Sequence, residues 1–428
     1  MRHSCAFCHA RLVRALLLAL GLCLCHAGVT VAQVAVPAAP SSTPLTYPAA
    51  VQRALTANPS ILAARLKRSV SIASRDVVAE RLNPEFRAEW AKETPKEAYT
   101  LAWPWDGKRG RRVAVGDAAV LTGEAELNAT IAQVQADVRK AFVNRFLAES
   151  RQALLGEMQG LAERVRDAAQ ARVDSGDAPR LELLQAELAY ADAQNQSAAA
   201  AGVVAGARAA LNALLGWPLT DTTPIELGIP DEPLLETDTA LARARQANAE
   251  LAVFDRRIEE QRARVGFAQA LRQPDVTPEV TFTRRAEPEF MYGWRAAVAI
   301  TLPVLTTHTA GVVLEQATLT ELTAEREAAL ARISGDVSAA VAIAAAQRQQ
   351  YARYRDQVLP QALEVERMAE DSYRLGQTNI AAYLQAVQST RDVRLRALQS
   401  AADLQAALAD LDRAIGAPPP AATRPPTP

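Results

Sequence analysis

The feature that most constrains this chain is a pair of very long helical stretches set within an internal duplication. Residues 113–173 contain no proline, and Leu127, Ile131, Val134 and Val138, then Leu154, Leu161 and Val165, recur at spacings of threes and fours. Residues 314–375 repeat the pattern through Leu319, Leu322, Leu330, Ile333, Val337, Val341 and Ala344, with Pro360 the one proline. About sixty residues at ~1.5 Å each would span roughly 90 Å, far beyond a globular helix. The spacing leaves a narrow apolar seam, which predicts coiled-coil-like pairing. Gly176 and Gly376 follow as helix-ending glycines, and return helices are expected over 179–215 and 380–415.

The duplication is ordered along the chain. Asn58 and Asn248 stand 190 residues apart, as do Asn83-Pro84 and Gln273-Pro274. Trp103-Pro104 and Leu302-Pro303 are 199 apart, and Gly176 and Gly376 are 200 apart, as are Leu211 and Leu411. Near-constant offsets with one small insertion or deletion indicate two repeats, 49–216 and 238–416. A proline-rich connector, 217–237, joins them. The proline-rich flanks 33–48 and 417–428 are expected to be extended or disordered.

Each repeat opens with a helix, over 49–81 and 238–272, and then changes period from helical to two. Phe86, Ala88 and Trp90 alternate with Glu85, Arg87 and Glu89; Tyr99, Leu101, Trp103 and Trp105 continue after a polar turn at 92–96. In the second repeat Val276, Pro278, Val280 and Phe282 alternate with polar residues, and Tyr292, Trp294, Ala296, Val298, Ile300 and Leu302 follow the turn at 287–289. These are two hairpins, each with one apolar, aromatic face. The fold class expected is therefore mainly α with short β hairpins. Such faces suit lipid, with Trp90, Tyr99, Trp103, Phe282, Tyr292 and Trp294 toward the membrane. Lipid tolerates backbone only in helices or closed barrels, and four strands are too few to close alone. The competing reading is a soluble hairpin packed on helices.

Residues 1–32 read as an export leader. Arg2, Arg11 and Arg14 precede an apolar run over 15–25, and Thr30-Val31-Ala32 offers a small-x-small cleavage site. All four cysteines, Cys5, Cys8, Cys23 and Cys25, and three of the four histidines lie in this segment. The remainder, with His308 alone, has little from which to build a transition-metal site or a nucleophile–base pair. No cofactor, metal or catalytic activity is expected. A formal net charge of −1 gives no support to a nucleic-acid partner. No later stretch is expected to be apolar enough to form a membrane helix. The charge run Asp106-Gly107-Lys108-Arg109-Gly110-Arg111-Arg112 reads either as a strand–helix junction or as a contact to lipid phosphates.

The order helix, strand pair, long helix, return helix, duplicated once, resembles the TolC-type outer-membrane efflux proteins, the outer membrane factors, over nearly all of the chain after the leader. The segments "TYPAAVQRALTANPSILAAR", "DSGDAPRLELLQAELAYADAQ" and "SYRLGQTNIAAYLQAVQSTRD" carry the resemblance, with "LNALLGWPL" and "LDRAIGAP" ending the return helices. It implies a homotrimer whose strands join into one 12-stranded barrel in the outer membrane, above a periplasmic tunnel of helices. The implied role is exit duct for an inner-membrane pump and a periplasmic adaptor protein. Gly107-Lys108-Arg109 looks like the branch paired with heavy-metal-ion pumps.

The resemblance also places a gate at the helix turns. Asp177, Arg180 and Glu182 lie beside Gly176; Tyr373, Thr378 and Gln385 lie beside Gly376, with Ala382 where the first turn has Glu182. Three copies of Glu182 in a narrow pore would attract cations. Alternatively, Asp177 and Glu182 favour a helix N-terminus through its dipole. The rival to a duct is a soluble periplasmic coiled-coil scaffold or adaptor.

Overall fold

The computed structural model describes residues 44–226, 234–286 and 290–416. The expected leader with its cysteines, residues 33–43, the turn at 287–289 and the tail 417–428 lie outside the described residues. In chain order the elements are β1 (Leu45–Thr46), α1 (Tyr47–Ala57), α2 (Pro59–Ala79), β2 (Glu85–Trp90), β3 (Glu97–Ala102), α3 (Arg109–Asp174) and α4 (Arg180–Leu215). The second repeat follows with β4 (Ile225–Glu226), α5 (Thr237–Ala247), α6 (Ala249–Ala270), β5 (Asp275–Ala286), β6 (Phe290–Thr301), α7 (Thr309–Arg353), α8 (Leu359–Arg374) and α9 (Ile380–Ile415).

Three expectations need correction. Each opening helix is two helices, broken at Asn58 and at Asn248. The Asn58 carboxamide oxygen accepts the N–H groups of Ser60 and Ile61, while its Nδ2 donates to Leu214 O at 2.8 Å. Asn248 does the same with Glu250, Leu251 and Ala414 O. One side chain thus caps the start of a helix and holds the last turn of the return helix, with each asparagine nearly buried. Second, α7 does not run unbroken to the tip. A π-turn, Tyr354–Val358, separates it from α8 just before Pro360, which has no N–H for the helical ladder. Third, the flank 33–48 does not stay extended to its end: after the strand β1, which pairs in parallel with β4 of the connector, Tyr47 opens α1. Tyr47 packs edge-on against buried Phe142.

Two equivalent cores hold the repeats. In the first, Val51 and Ala54 of α1 meet Val138 and Phe142 of α3 and Leu211 and Leu215 of α4. In the second, Ala240 and Ala244 of α5 meet Ile333 and Val337 of α7 and Leu411 and Ile415 of α9. Gly216 and Gly416 end the return helices with φ of +63° and +67°. A Cβ at Gly216 would lie 2.7 Å from Ala57 O, and one at Gly416 would run into Ala247 O, so close backbone approach as well as handedness selects glycine.

Two stretches, Arg180–Leu215 and Thr309–Arg374, contain an 18-residue window apolar enough to cross a membrane, against the expectation that none would. Their apolarity comes largely from alanine runs such as Ala198–Ala201 and Ala344–Ala346. Such runs let helices approach closely, and at the distal end the two antiparallel pairs, α3–α4 and α8–α9, pack together through small residues, Ala169 and Ala186, beside Val165, Ile380 and Tyr383.

The two hairpins form one antiparallel sheet in the order β2-β3-β5-β6. Both outer strands, β2 and β6, have one unpaired edge among the described residues.

Candidate functional site: the helical tip and the apolar sheet face

The tip is built by two glycine turns. Gly176 (φ +81°) and Gly376 (φ +70°) let the Asp177 N–H reach Arg172 O and the Gln377 N–H reach Ser372 O, closing the last turns of α3 and α8. Asn379 then caps α9 by accepting the Ala382 N–H at 2.9 Å.

Across these turns one polar cluster ties three helices together. Arg172, in the last turn of α3, donates to Glu182 Oε1 at 2.5 Å from the first turn of α4. The Tyr373 hydroxyl, from the end of α8, donates to the same oxygen at 3.1 Å and accepts from Arg172 at 3.2 Å. The Tyr373 ring stacks on Tyr383 with centroids 5.3 Å apart and planes 7° from parallel. Burial, above all, raises the Tyr373 and Tyr383 hydroxyl pKa values, keeping Tyr373 a donor at neutral pH. Glu182 is only 11% exposed, whereas Arg172 is 44% exposed.

Of the six expected gate residues, this geometry joins Glu182 and Tyr373. Asp177 instead accepts from Ser175 Oγ at 2.9 Å. Arg180, Thr378 and Gln385 are exposed and lie outside the cluster's hydrogen bonds. Glu182 is a paired carboxylate within the protomer, rather than a bare charge. Arg172 was not singled out in the sequence. The available signal is its position: it precedes Gly176 by four residues and Glu182 follows by six, so an antiparallel helix pair brings them opposite.

The sheet is the second candidate surface. Its register aligns Ala88, Tyr99, Phe282 and Trp294 in one row across the four strands. Phe86, Leu101, Val280 and Ala296 form the next row, and Trp103, Pro278 and Val298 continue the face. Trp90, Trp103, Trp105, Phe282, Tyr292 and Trp294 are each 58–74% exposed, and Tyr99 is half-buried. The charges on this face lie in its last row, where Glu97 sits between Trp90 and Arg284 and pairs with Arg284 and Arg285. The opposite face carries Glu85, Arg87, Glu89, Glu279 and Arg295, with the Thr100 and Thr281 hydroxyls 3.0 Å apart.

The basic run between sheet and helix serves the junction. Arg109 Nε donates to Ala79 O, and Arg112 donates to Val78 O and Glu80 O, all carbonyls at the end of α2. Lys108 pairs with Asp275 at 2.9 Å and Arg112 with Asp106. Guanidinium groups suit a helix C-terminus because its last carbonyls lack partners and carry partial negative charge. The lipid-phosphate reading therefore finds Arg109 and Arg112 already engaged. His308 takes a left-handed φ of +53° immediately before α7. Among the described residues no group of three or more His, Cys, Asp or Glu is placed to hold a metal ion.

Comparison with solved structures identifies this architecture. The outer membrane channel CmeC of Campylobacter jejuni superposes with a TM-score of 0.74 at 16% identity, over 86% of this chain and 85% of that one. The chain has the outer membrane channel fold. The MtrE outer membrane channel of Neisseria gonorrhoeae, in its open state, gives a TM-score of 0.71 at 19% identity over 86% and 88% of the two chains. Among curated proteins, the nickel-cobalt-cadmium resistance protein NccC of Alcaligenes xylosoxydans xylosoxydans is 28% identical over 196 residues. That match spans 44% of each chain, under half the length of the relative. No protein-family model matches. In this channel fold the aromatic sheet face and the glycine-turn tip stand at opposite ends of the helices.

Proposed function

We propose that the chain is one protomer of a homotrimeric outer-membrane duct, the passive exit of a tripartite efflux system. The observation that carries this reading is the sheet: four strands with an exposed aromatic face and two unpaired edges. In water that face would be costly, and in lipid the open edges would be costlier still. Strands pooled from three copies, twelve in all, resolve both. The long helices would then line a periplasmic tunnel, and the leader would direct export.

The tip cluster of Arg172, Glu182 and Tyr373 is the proposed gate, closed by bonds within each protomer. Asp177, Arg180, Thr378 and Gln385 remain exposed to face neighbouring copies, the pore or a periplasmic adaptor. The cargo class is small solutes or divalent metal ions, delivered by an inner-membrane pump; the likeness to NccC and Gly107-Lys108-Arg109 support the metal-ion variant. The cluster supplies orientation and charge but no bond-making chemistry, consistent with a duct.

The test is biochemical. The exported protein should require detergent for extraction, cross-link to a three-copy limit and give discrete conductance steps in planar bilayers. Recovery as a detergent-free soluble monomer would favour the scaffold reading and sink the duct.

A further inference from the structure

The offset between the repeats steps by one residue, and the structure locates the step. Val138 and Val337, both fully buried in equivalent cores, stand 199 residues apart, whereas the tip glycines stand 200 apart. One residue has therefore entered the second repeat between these points. That interval holds the π-turn Tyr354–Val358, where the Leu359 N–H reaches back to Tyr354 O, one residue farther than in an α-helix. The matching stretch of α3 is uninterrupted α-helix.

The consequence is a change of phase. Before the turn, Val337, Ala344 and Tyr351 recur every seven residues, the first two fully buried. Continued without a break, the series would turn Val358 and Val365 inward. Instead these two are 36% and 55% exposed, while Leu359, Glu366 and Tyr373, each one residue later, are half-buried. One residue of helix corresponds to ~100° of rotation. The first repeat, with no insertion, places Val173 where the second places Tyr373.

We propose that the π-turn is a positioning element: it absorbs the inserted residue, so that the end of α8 keeps the phase of the first repeat and Tyr373 enters the Arg172–Glu182 cluster. The turn keeps the two helix tips equivalent despite the extra residue, and Tyr373, standing where the first repeat has Val173, delivers a hydroxyl to the first tip. It also defines a two-state element. Loss of the bulge would turn the same segment by ~100° and withdraw Tyr373, while α9 keeps its own helical ladder. The geometry stands without the duct; its consequence for opening rests on that reading.

Cysteine accessibility tests the phase in the full detergent-solubilised chain, which has no cysteine beyond Cys25. Maleimide should label Val358→Cys faster than Leu359→Cys, and Val365→Cys faster than Glu366→Cys. The reverse order in either pair would overturn the assigned phase. A second arm tests the positioning with an Arg172→Cys/Tyr373→Cys pair and a short bis-maleimide. Deleting Gln357 removes the extra residue together with the bulge, leaves Tyr373 in its parental phase, and should keep the cross-link yield within threefold of the parent. Inserting one alanine after Ala369 in the deleted chain should lower the yield at least tenfold, since the extra residue returns without the π-turn that absorbs it and Tyr373 rotates by ~100°. A deleted chain of parental helix content that loses the cross-link, or an inserted chain that cross-links like its parent, would refute the role. Bilayer recordings separate the two ideas: absence of conductance sinks the duct but leaves the labelling order untouched.

Discussion

Replacement of Glu182 by glutamine tests the tip cluster most directly, because it keeps the shape of the side chain and removes its charge. The wild-type oxygen accepts from a guanidinium at 2.5 Å and from a phenol at 3.1 Å. Hydrogen bonds involving charged groups contribute about 1.5–3 kcal/mol and neutral ones about 0.5–1.5 kcal/mol. The difference is about 1 kcal/mol, reduced further because Arg172 is 44% exposed and its charge is screened by solvent. If three copies open together, a loss of about 0.7 kcal/mol in each sums to about 2 kcal/mol, or roughly a thirtyfold shift toward the open state, given that 1.36 kcal/mol is tenfold. Single-channel open probability in planar bilayers reads this shift, with Tyr373→Phe as the companion that leaves the carboxylate in place. An open probability for Glu182→Gln within threefold of wild type, in a chain that still assembles, would refute the claim that this cluster holds the tip closed.

Other outcomes follow from the same structure. Asn58→Ala removes an N-cap and leaves Leu214 O without its side-chain donor, for a loss of about 2–3 kcal/mol; Asn248→Ala should lose a similar amount, both read by chemical denaturation. Val280→Arg, in the middle row of the exposed apolar face, should cost about 2–4 kcal/mol per copy in lipid and strongly reduce membrane-inserted protein in fractionation. For Glu126, burial works to raise the pKa, but hydrogen bonds and charge from Arg257 and Lys67 outweigh it, and the net shift is downward. Because the folded value is depressed, its stabilisation is present above the unfolded value of about 4.3 and is lost as pH falls through the folded one. Glu126→Gln should therefore flatten the decline in melting temperature below about pH 4.3, with little change in slope near neutrality.

The sequence carried the architecture well where periodicity repeats over long distances. The duplication, both hairpins, the return helices and the glycine turns all leave local signals in residue spacing. The breaks at Asn58 and Asn248 were harder to read, because asparagine within an apolar helical pattern has no unique meaning. Its role depends on Leu214 O and Ala414 O, more than 150 residues away. The π-turn was hidden for a different reason: Pro360 marks a disturbance, but only the inward positions on either side reveal that one residue has been absorbed. At the tip, Glu182 and Tyr373 could be nominated from their turns, while Arg172 looked like any surface cation on a charged helix. The arginines after β3 looked like a basic patch because sequence shows charge but not the carbonyls that receive it.

The meeting of each repeat's first and last turns has a consequence for how such a chain arises. Asn58 holds Leu214 O, Gly216 fits beneath Ala57 O, and the second repeat copies both contacts through Asn248, Ala414, Gly416 and Ala247. The beginning and end of the unit are therefore neighbours in space, much like the two ends of a clasp. A gene segment encoding such a unit can be copied in tandem without cutting through a core, since each copy already fastens its own ends. The same arrangement makes the closing residues late arrivals during synthesis. A nascent chain that stops before residue 214 has its long helices but lacks the partner that fastens Asn58, so each unit is secured only when its final turn emerges.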